Sequence, residues 1–253
     1  MHMKITSPWV KRGIKSLGEE DFETIRKFYR KYFHPDPKMD FKFRSLKGFF
    51  YDANRDTFYW RSLHNLFNKR IFDHGKLQFL IPKGIEKGYY PIRLFQSSTR
   101  WLDPRSMGKK TDFRQIMIGN GMAVLESDTS LEESISVALK CNDLLQEEKK
   151  RFIFTGNKSI HIWVVEFDPK KWVGRDCILD LECHLKARKV FFDSIQEKIA
   201  VKLDPQTTID IQRLVPIVGS LNGFTGRVVT ELSIGDIKQF DAQQIRLLTT
   251  FSP

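Results

Sequence analysis

Hydrophobic and polar positions along this chain fall into two periods. Over Glu19–Phe33 the aromatic and aliphatic residues Phe22, Ile25, Phe28, Tyr29 and Tyr32 recur every three or four places. That spacing puts them on one face of a helix, and Pro35 and Pro37 close it because proline cannot continue a helix. Phe41–Arg61 alternates instead, with a turn at Ala53-Asn54-Arg55-Asp56, which predicts a β-hairpin. Ser62–Phe72 reads as a helix on that hairpin, and the segments Leu77–Ile81 and Tyr89–Ser97 follow. In the second half, Ala123-Val124-Leu125 predicts a short strand ending in Glu126 and Asp128. Ser130 and Glu133 fit a capping box, opening a helix with Leu131, Ile135, Ala138, Leu139 and Leu145 at helical spacing. Strands are expected over Arg151–Phe154 and Ser159–Phe167, joined by Thr155-Gly156-Asn157-Lys158. Leu181–Val201 predicts a long helix striped by Leu185, Phe192, Ile195 and Ile199. A turn at 222–226 leads into a strand over Arg227–Leu232, and Asp236–Leu248 predicts a closing helix. Strands and helices mixed in this way give an α+β fold.

Strand parity assigns chemistry to particular faces. Successive side chains alternate, so Ile160, Ile162 and Val164 share one face while Ser159, His161 and Trp163 share the other. Glu126 and Asp128 project together by the same rule. Two carboxylates held so close need a cation, and oxygen-only donors favour magnesium or manganese. A turn with a glycine and a lysine, followed by Ser-x-His, suits phosphate, because backbone amides, an ammonium and an imidazole can all donate to it. Taken singly these features are commonplace: most Glu-x-Asp pairs end solvated strands, and most strand histidines are structural. Their order narrows the reading. The loop Asp103–Lys110, with Arg100, Arg105, Lys109, Lys110, Arg114 and Trp101 in or beside it, has the mixture that grips a single strand through phosphate contacts and base stacking; a solvated loop has the same composition.

Composition adds limits. The chain has 253 residues, 41% hydrophobic, with 21 phenylalanines, enough for a substantial core. The formal charge of +11 suits a polyanionic partner. No apolar run approaches the ~20 residues of a membrane span, and no secretory signal pattern opens the chain; a cytoplasmic, nucleoid-associated protein is expected, with no membrane partner. Cys141, Cys177 and Cys183 are odd in number and lack zinc-ligand spacing, so neither a disulfide framework nor structural zinc is expected. Cys183-His184 reads as ordinary helix content. Gly108–Thr111 is the softest place for a boundary, dividing an N-terminal α/β module (1–110) from a second module (111–253) within one continuous domain. Met1-His2 reads as a vector scar, which leaves further domains of a longer protein open.

A third stretch, L-D-P-Q-T-T-I-D-I-Q-R-L-V-P-I-V-G-S-L-N-G-F-T-G from Leu203 to Gly226, completes a pattern. An acidic pair on a strand, then a glycine turn into Ser-x-His, then this run together resemble the three motifs of the archaeo-eukaryotic primase superfamily, the catalytic domains of small primase subunits and primase-polymerases. The resemblance is strong over the C-terminal half and loose before it. It implies an RRM-like antiparallel-sheet catalytic module packed on an N-terminal α/β module. It also implies template-directed joining of dNTPs or NTPs by a two-metal mechanism. Glu126, Asp128 and Asp204 would be catalytic and hold two Mg2+ or Mn2+ ions; Asp210 competes with Asp204, but counting back from Arg213 favours Asp204. Asn157, Lys158, Ser159, His161, Arg213 and Asn222 would bind the nucleotide. Arg61 falls where the family's N-terminal strands end in an arginine near the site, and Arg100, Lys109 and Lys110 are candidate contacts to DNA or nucleotide. The implied partners are a single-stranded DNA template and a primer; an accessory primase subunit, a helicase or further domains are compatible with it. The short layout without a zinc insertion looks like plasmid-, virus- or CRISPR-associated members. Three positions depart from the pattern: Glu126 replaces an aspartate and reaches one methylene further, Pro216 stands where a basic residue is common, and Asn222 replaces a histidine. An end-joining-type repair polymerase, or a catalytically weak nucleic-acid-binding module of the same fold, would carry the same motifs.

Overall fold

The structure is a computed structural model that describes residues 17–107, 111–117, 121–127, 129–175, 177 and 180–251. Helix α1 (Glu19–Lys31) buries Ile25, Phe28 and Tyr29, with acidic residues in its first turn and Arg30 and Lys31 in its last, as the helix dipole favours. Tyr32, expected on the buried stripe, lies past the last turn and is 47% exposed. The hairpin forms from β1 (Leu46–Asp52) and β2 (Thr57–Ser62). It starts later than expected because Phe41–Phe43 makes a 3-10 turn capped by Asp40. The helix predicted over Ser62–Phe72 is only the single turn α2 (Leu63–Leu66), stopped where Asn68 takes a left-handed conformation (φ 50°). Asp73 caps α3 (His74–Glu86), which takes up Leu77–Ile81, and β3 (Tyr89–Ser97) follows.

Next come the small ribbon β4 (Arg100–Trp101) with β5 (Ile116–Met117) and the strand β6 (Ala123–Leu125). Helix α4 (Leu131–Leu144) is capped by Ser130, whose Oγ accepts from the Glu133 amide, half of the expected box. Strands β7 (Lys150–Phe154) and β8 (Ile160–Val164) lead to α5 (Lys170–Val173) and α6 (Leu181–Gln196). Helix α6 stops five residues before Val201 because the Gln196 side chain turns to the carbonyls of Ile199 and Val201 and accepts from the Leu203 amide. After α7 (Pro205–Ile209) come β9 (Leu214–Pro216), β10 (Leu221–Asn222), β11 (Arg227–Val228) and β12 (Thr230–Leu232). The closing helix is two, α8 (Ile234–Gln239) and α9 (Ala242–Thr249), because Phe240 is extended and Asp241 caps a new start. Cys177 and Cys183 form a disulfide, contrary to expectation, and Cys141 is free and buried; six residues apart, the pair closes the short loop into α6.

Two four-stranded antiparallel sheets result, in the orders β2-β1-β3-β9 and β12-β7-β8-β6. Strand β9 comes from the C-terminal half and completes the first sheet. The second sheet has two apolar faces, and burying both is what makes the layers. Ala123, Leu125, Ile160, Ile162 and Val164 pack with α4 and α6; Val124, Ile153 and Trp163 pack with Ile92, Leu94 and Val215 of the first sheet. The predicted parity of β8 is therefore what divides the two cores. Among the described residues no helix is long and apolar enough to cross a membrane.

Candidate active site

The second sheet's register builds the site. Leu125 pairs with Ile162, so one step further Glu126 stands opposite His161, on the face turned toward the first sheet. His161 Nε2 lies 3.0 Å from Glu126 Oε1, and Ser159 Oγ donates to the same oxygen at 3.3 Å. Helix α7 docks against the end of β6 through two bonds. The Asp204 amide donates to the Glu126 carbonyl at 2.8 Å, and Thr208 Oγ1 donates to the Val124 carbonyl at 2.6 Å. Asp204 is the N-cap of α7, its Oδ1 accepting from the Gln206 amide at 2.9 Å, and this turns its Oδ2 toward Glu126.

Two groups sit between these carboxylates. Thr207 Oγ1 is 3.1 Å from Glu126 Oε2 and 2.8 Å from Asp204 Oδ2. Arg213 Nη2, just before β9, is 3.6 Å from the first and 3.3 Å from the second. Burial alone would raise the Glu126 carboxyl; the charge and hydrogen bond of His161, then Arg213 and Thr207, bring it down to about 2. Glu126 is thus a buried anion with every oxygen facing a donor or cation.

The glycine turn lies against the third motif. Gly156 is left-handed (φ +81°), and a Cβ there would meet Asn222 Cβ at 2.9 Å and the Arg227 carbonyl at 3.2 Å. Only glycine lets the turn approach so closely. Thr225 Oγ1 also donates to the Gly156 carbonyl. Asn222 is buried, with Oδ1 accepting from the Phe224 amide, while Asn157 and Lys158 are exposed at the turn. Asp210 ends α7 and accepts from the Gln212 amide; it is Asp204 that meets Glu126.

Arg61 is exposed on the edge strand β2, its guanidinium 6.0 Å from the Tyr59 ring centroid. The first sheet's order puts β3 between the hairpin and β9, so the strand arginine within electrostatic reach of Glu126 is Arg93. Burial lowers the Arg93 pKa, and the Glu126 carboxylate opposes that shift. Arg100 pairs with Asp40 at 2.9 Å, away from Glu126. Asp128, Lys109 and Lys110 lie outside the described residues. Among the described residues no group of three His, Cys, Asp or Glu side chains gathers as for a metal ion; Glu126 and Asp204 are a pair.

The donor set nonetheless fits a hard divalent cation. Carboxylate oxygens from two elements converge, with a hydroxyl beside them. The His161 Nδ1 is buried without a partner, an orphan that a ligand oxygen would satisfy. Two residues here escaped the sequence reading. Thr207 stood unremarked within the third motif, and Arg93 carried one signal, a charge in the middle of the apolar strand Tyr89–Ser97.

Comparison with known proteins agrees with the motif resemblance. No protein-family model matches the chain. It is similar to the DNA primase small subunit PriS of Pyrobaculum calidifontis, 30% identical over 143 residues, which cover 43% of this chain and 45% of that protein. It is also similar to the DNA primase small subunit PriS of Sulfurisphaera tokodaii, 32% identical over 108 residues, covering 38% and 34%. The matches thus span less than half the length of these relatives. A solved structure, the polymerase domain from Mycobacterium tuberculosis ligase D in complex with DNA, aligns over 87% of this chain and 82% of its own at a TM-score of 0.49 and 10% identity.

Proposed function

The chain is a relative of the primase small subunits, and on that premise we propose that it is the catalytic domain of a DNA primase-polymerase. It joins dNTPs or NTPs on a single-stranded DNA template, with or without a primer. The observation that carries this reading is the convergence of Glu126 and Asp204 from two elements, with the buried, orphaned His161 Nδ1 behind Glu126. Glu126, Asp128 and Asp204 would hold Mg2+ or Mn2+, which supplies activation of the attacking hydroxyl and stabilisation of charge on the reacting phosphate.

The chain's own groups have separate tasks. His161, with Arg213 and Thr207, holds Glu126 ionised, and the contacts of His161 and Ser159 with one carboxylate oxygen fix its direction. Arg213 neutralises the carboxylate pair and is the cation placed to turn to a triphosphate. The turn around Gly156, with Asn157 and Lys158, presents amides and an ammonium to the phosphates, and Asn222 backs it with a neutral amide. Arg93 adds positive charge from the first sheet toward Glu126.

The test is incorporation of labelled nucleotides on a single-stranded template, with Mg2+ or Mn2+, with and without an annealed primer. Metal-dependent product in either arm supports the reading. No product under either metal, with template still bound, replaces it with a nucleic-acid-binding module.

A further inference from the structure

Strand β6 stands at the end of the second sheet's order and pairs with β8 on one side only. Carbonyls alternate sides along a strand, so those of Met122, Val124 and Glu126 share the edge that β8 leaves open. A buried edge needs donors from elsewhere, and each of these carbonyls meets a different kind. The Asp204 amide donates to Glu126 at 2.8 Å, Thr208 Oγ1 to Val124 at 2.6 Å, and Arg188 Nη2 to Met122 at 2.7 Å. The first two belong to the cap and the last turn of α7; the third reaches across from α6.

Arg188 is the informative residue. It is 0% exposed, and burial lowers its pKa to about 10 against the opposing charge of Asp210. Its hydrogen bonds go to carbonyls and a ring nitrogen: besides Met122, Nη1 donates to the Thr208 carbonyl at 2.8 Å and Nε to His184 Nε2 at 3.1 Å. A buried cation without a hydrogen-bonded carboxylate is a poor source of stability, and an apolar side chain would fill the same space. What the guanidinium adds is geometry. Its planar fork spans one carbonyl of α7 and one at the start of β6, which a lysine ammonium cannot do in a fixed arrangement. Thr208 is thereby held twice, by its hydroxyl on β6 and by its carbonyl on Arg188. With Thr208 fixed beside Val124, the run of α7 along the strand brings Asp204 beside Glu126.

We propose that Arg188 is a positioning residue for the Glu126–Asp204 pair, fixing α7 along the edge of β6 and so the separation of the two carboxylates. It acts through the backbone of both elements. Its bearing on a bound cation rests on the function proposed for that pair; its hold on α7 does not.

The test compares the wild-type protein with Arg188→Lys, which keeps the charge and loses the fork, and with Thr208→Val, which removes the neighbouring bond and leaves Arg188 in place. Amide hydrogen exchange of Asp204 is read against that of Ile160, whose amide donates to Ser134 Oγ on the other side of the sheet. The Asp204 amide should exchange ~10-fold faster or more relative to Ile160 in both variants, whereas a general loss of stability would speed both amides alike. Mn2+ titration followed by electron paramagnetic resonance of the free ion should show affinity weakened by roughly 10–100-fold. Unchanged relative exchange in both variants overturns the proposal, as does wild-type Mn2+ affinity in variants whose Asp204 amide is freed. If the wild-type protein bound no Mn2+, the cation-binding reading of the pair would fall, and the exchange comparison alone would uphold or overturn the role of Arg188.

Discussion

Thr207 Oγ1 lies within hydrogen-bond reach of both Glu126 Oε2 and Asp204 Oδ2, yet it has one proton to give. One of the two oxygen contacts is therefore unrelieved by the hydroxyl and depends on Arg213 beside it. The hydroxyl bridges the carboxylates, which under the proposed function makes Thr207 a positioning residue for the cation they would hold. Thr207→Val should lower metal-dependent incorporation by roughly 10–100-fold, the usual effect of losing a group that orients a metal's ligands, and Thr207→Ser should restore most of it. Unchanged incorporation in Thr207→Val would remove this role. Strand parity and motif order made the Glu126–His161 face legible in the sequence. Thr207 was not, because its task arises only when α7 docks on β6, a contact between segments about eighty residues apart that no local spacing encodes. Arg93 was missed for the same reason: which strand of the first sheet lies beside β9 is decided by sheet order, so Arg61 looked equally placed.

Helix α6 shows how a buried network can be read through pH. His184 accepts from Arg188 Nε at 3.1 Å, and burial, then the Arg188 charge, hold its pKa down to about 3 from an ordinary 6.5. Its folded pKa is depressed, so the unfolded chain binds the proton more readily. The stability is fully present above pH 6.5 and is lost as pH falls toward 3. Between pH 6.5 and 5, above the carboxylate range, the loss should reach about 2 kcal/mol. Denaturant melts across that window measure it, and His184→Gln, which keeps an acceptor for Arg188, should flatten the profile. An equally steep profile in the variant contradicts the assignment. Elements with long periodic stripes, such as α1, α4 and α6, were legible. The ends of α2 and α6 and the break between α8 and α9 were not, because a left-handed Asn68, the returning Gln196 side chain and the Asp241 cap each act through one residue against the prevailing pattern. The Cys177–Cys183 bond was missed because an odd cysteine count says nothing about which two are brought together.

At the scale of the molecule, two antiparallel sheets face each other, and the Glu126–Asp204 pair forms at the face of the second sheet that is turned toward the first. The net charge of +11 fits a polyanionic partner. The mixture of strands and helices was legible from alternation and periodicity, and the motif resemblance pointed to the α+β class, whereas the mutual arrangement of the sheets depends on β9 crossing to join β3, which composition around Gly108–Thr111 could not foretell. The central claim is that Glu126 and Asp204 act as one cation-binding unit in nucleotidyl transfer. The direct measurement is template-dependent incorporation in Mn2+ by the wild-type protein and by Asp204→Asn, an isosteric change that removes the charge and leaves the cap of α7 in place. Metal catalysis supplies several kcal/mol, so the account predicts a loss of at least ~100-fold with an unchanged melting temperature. Incorporation by Asp204→Asn at the wild-type rate would contradict it.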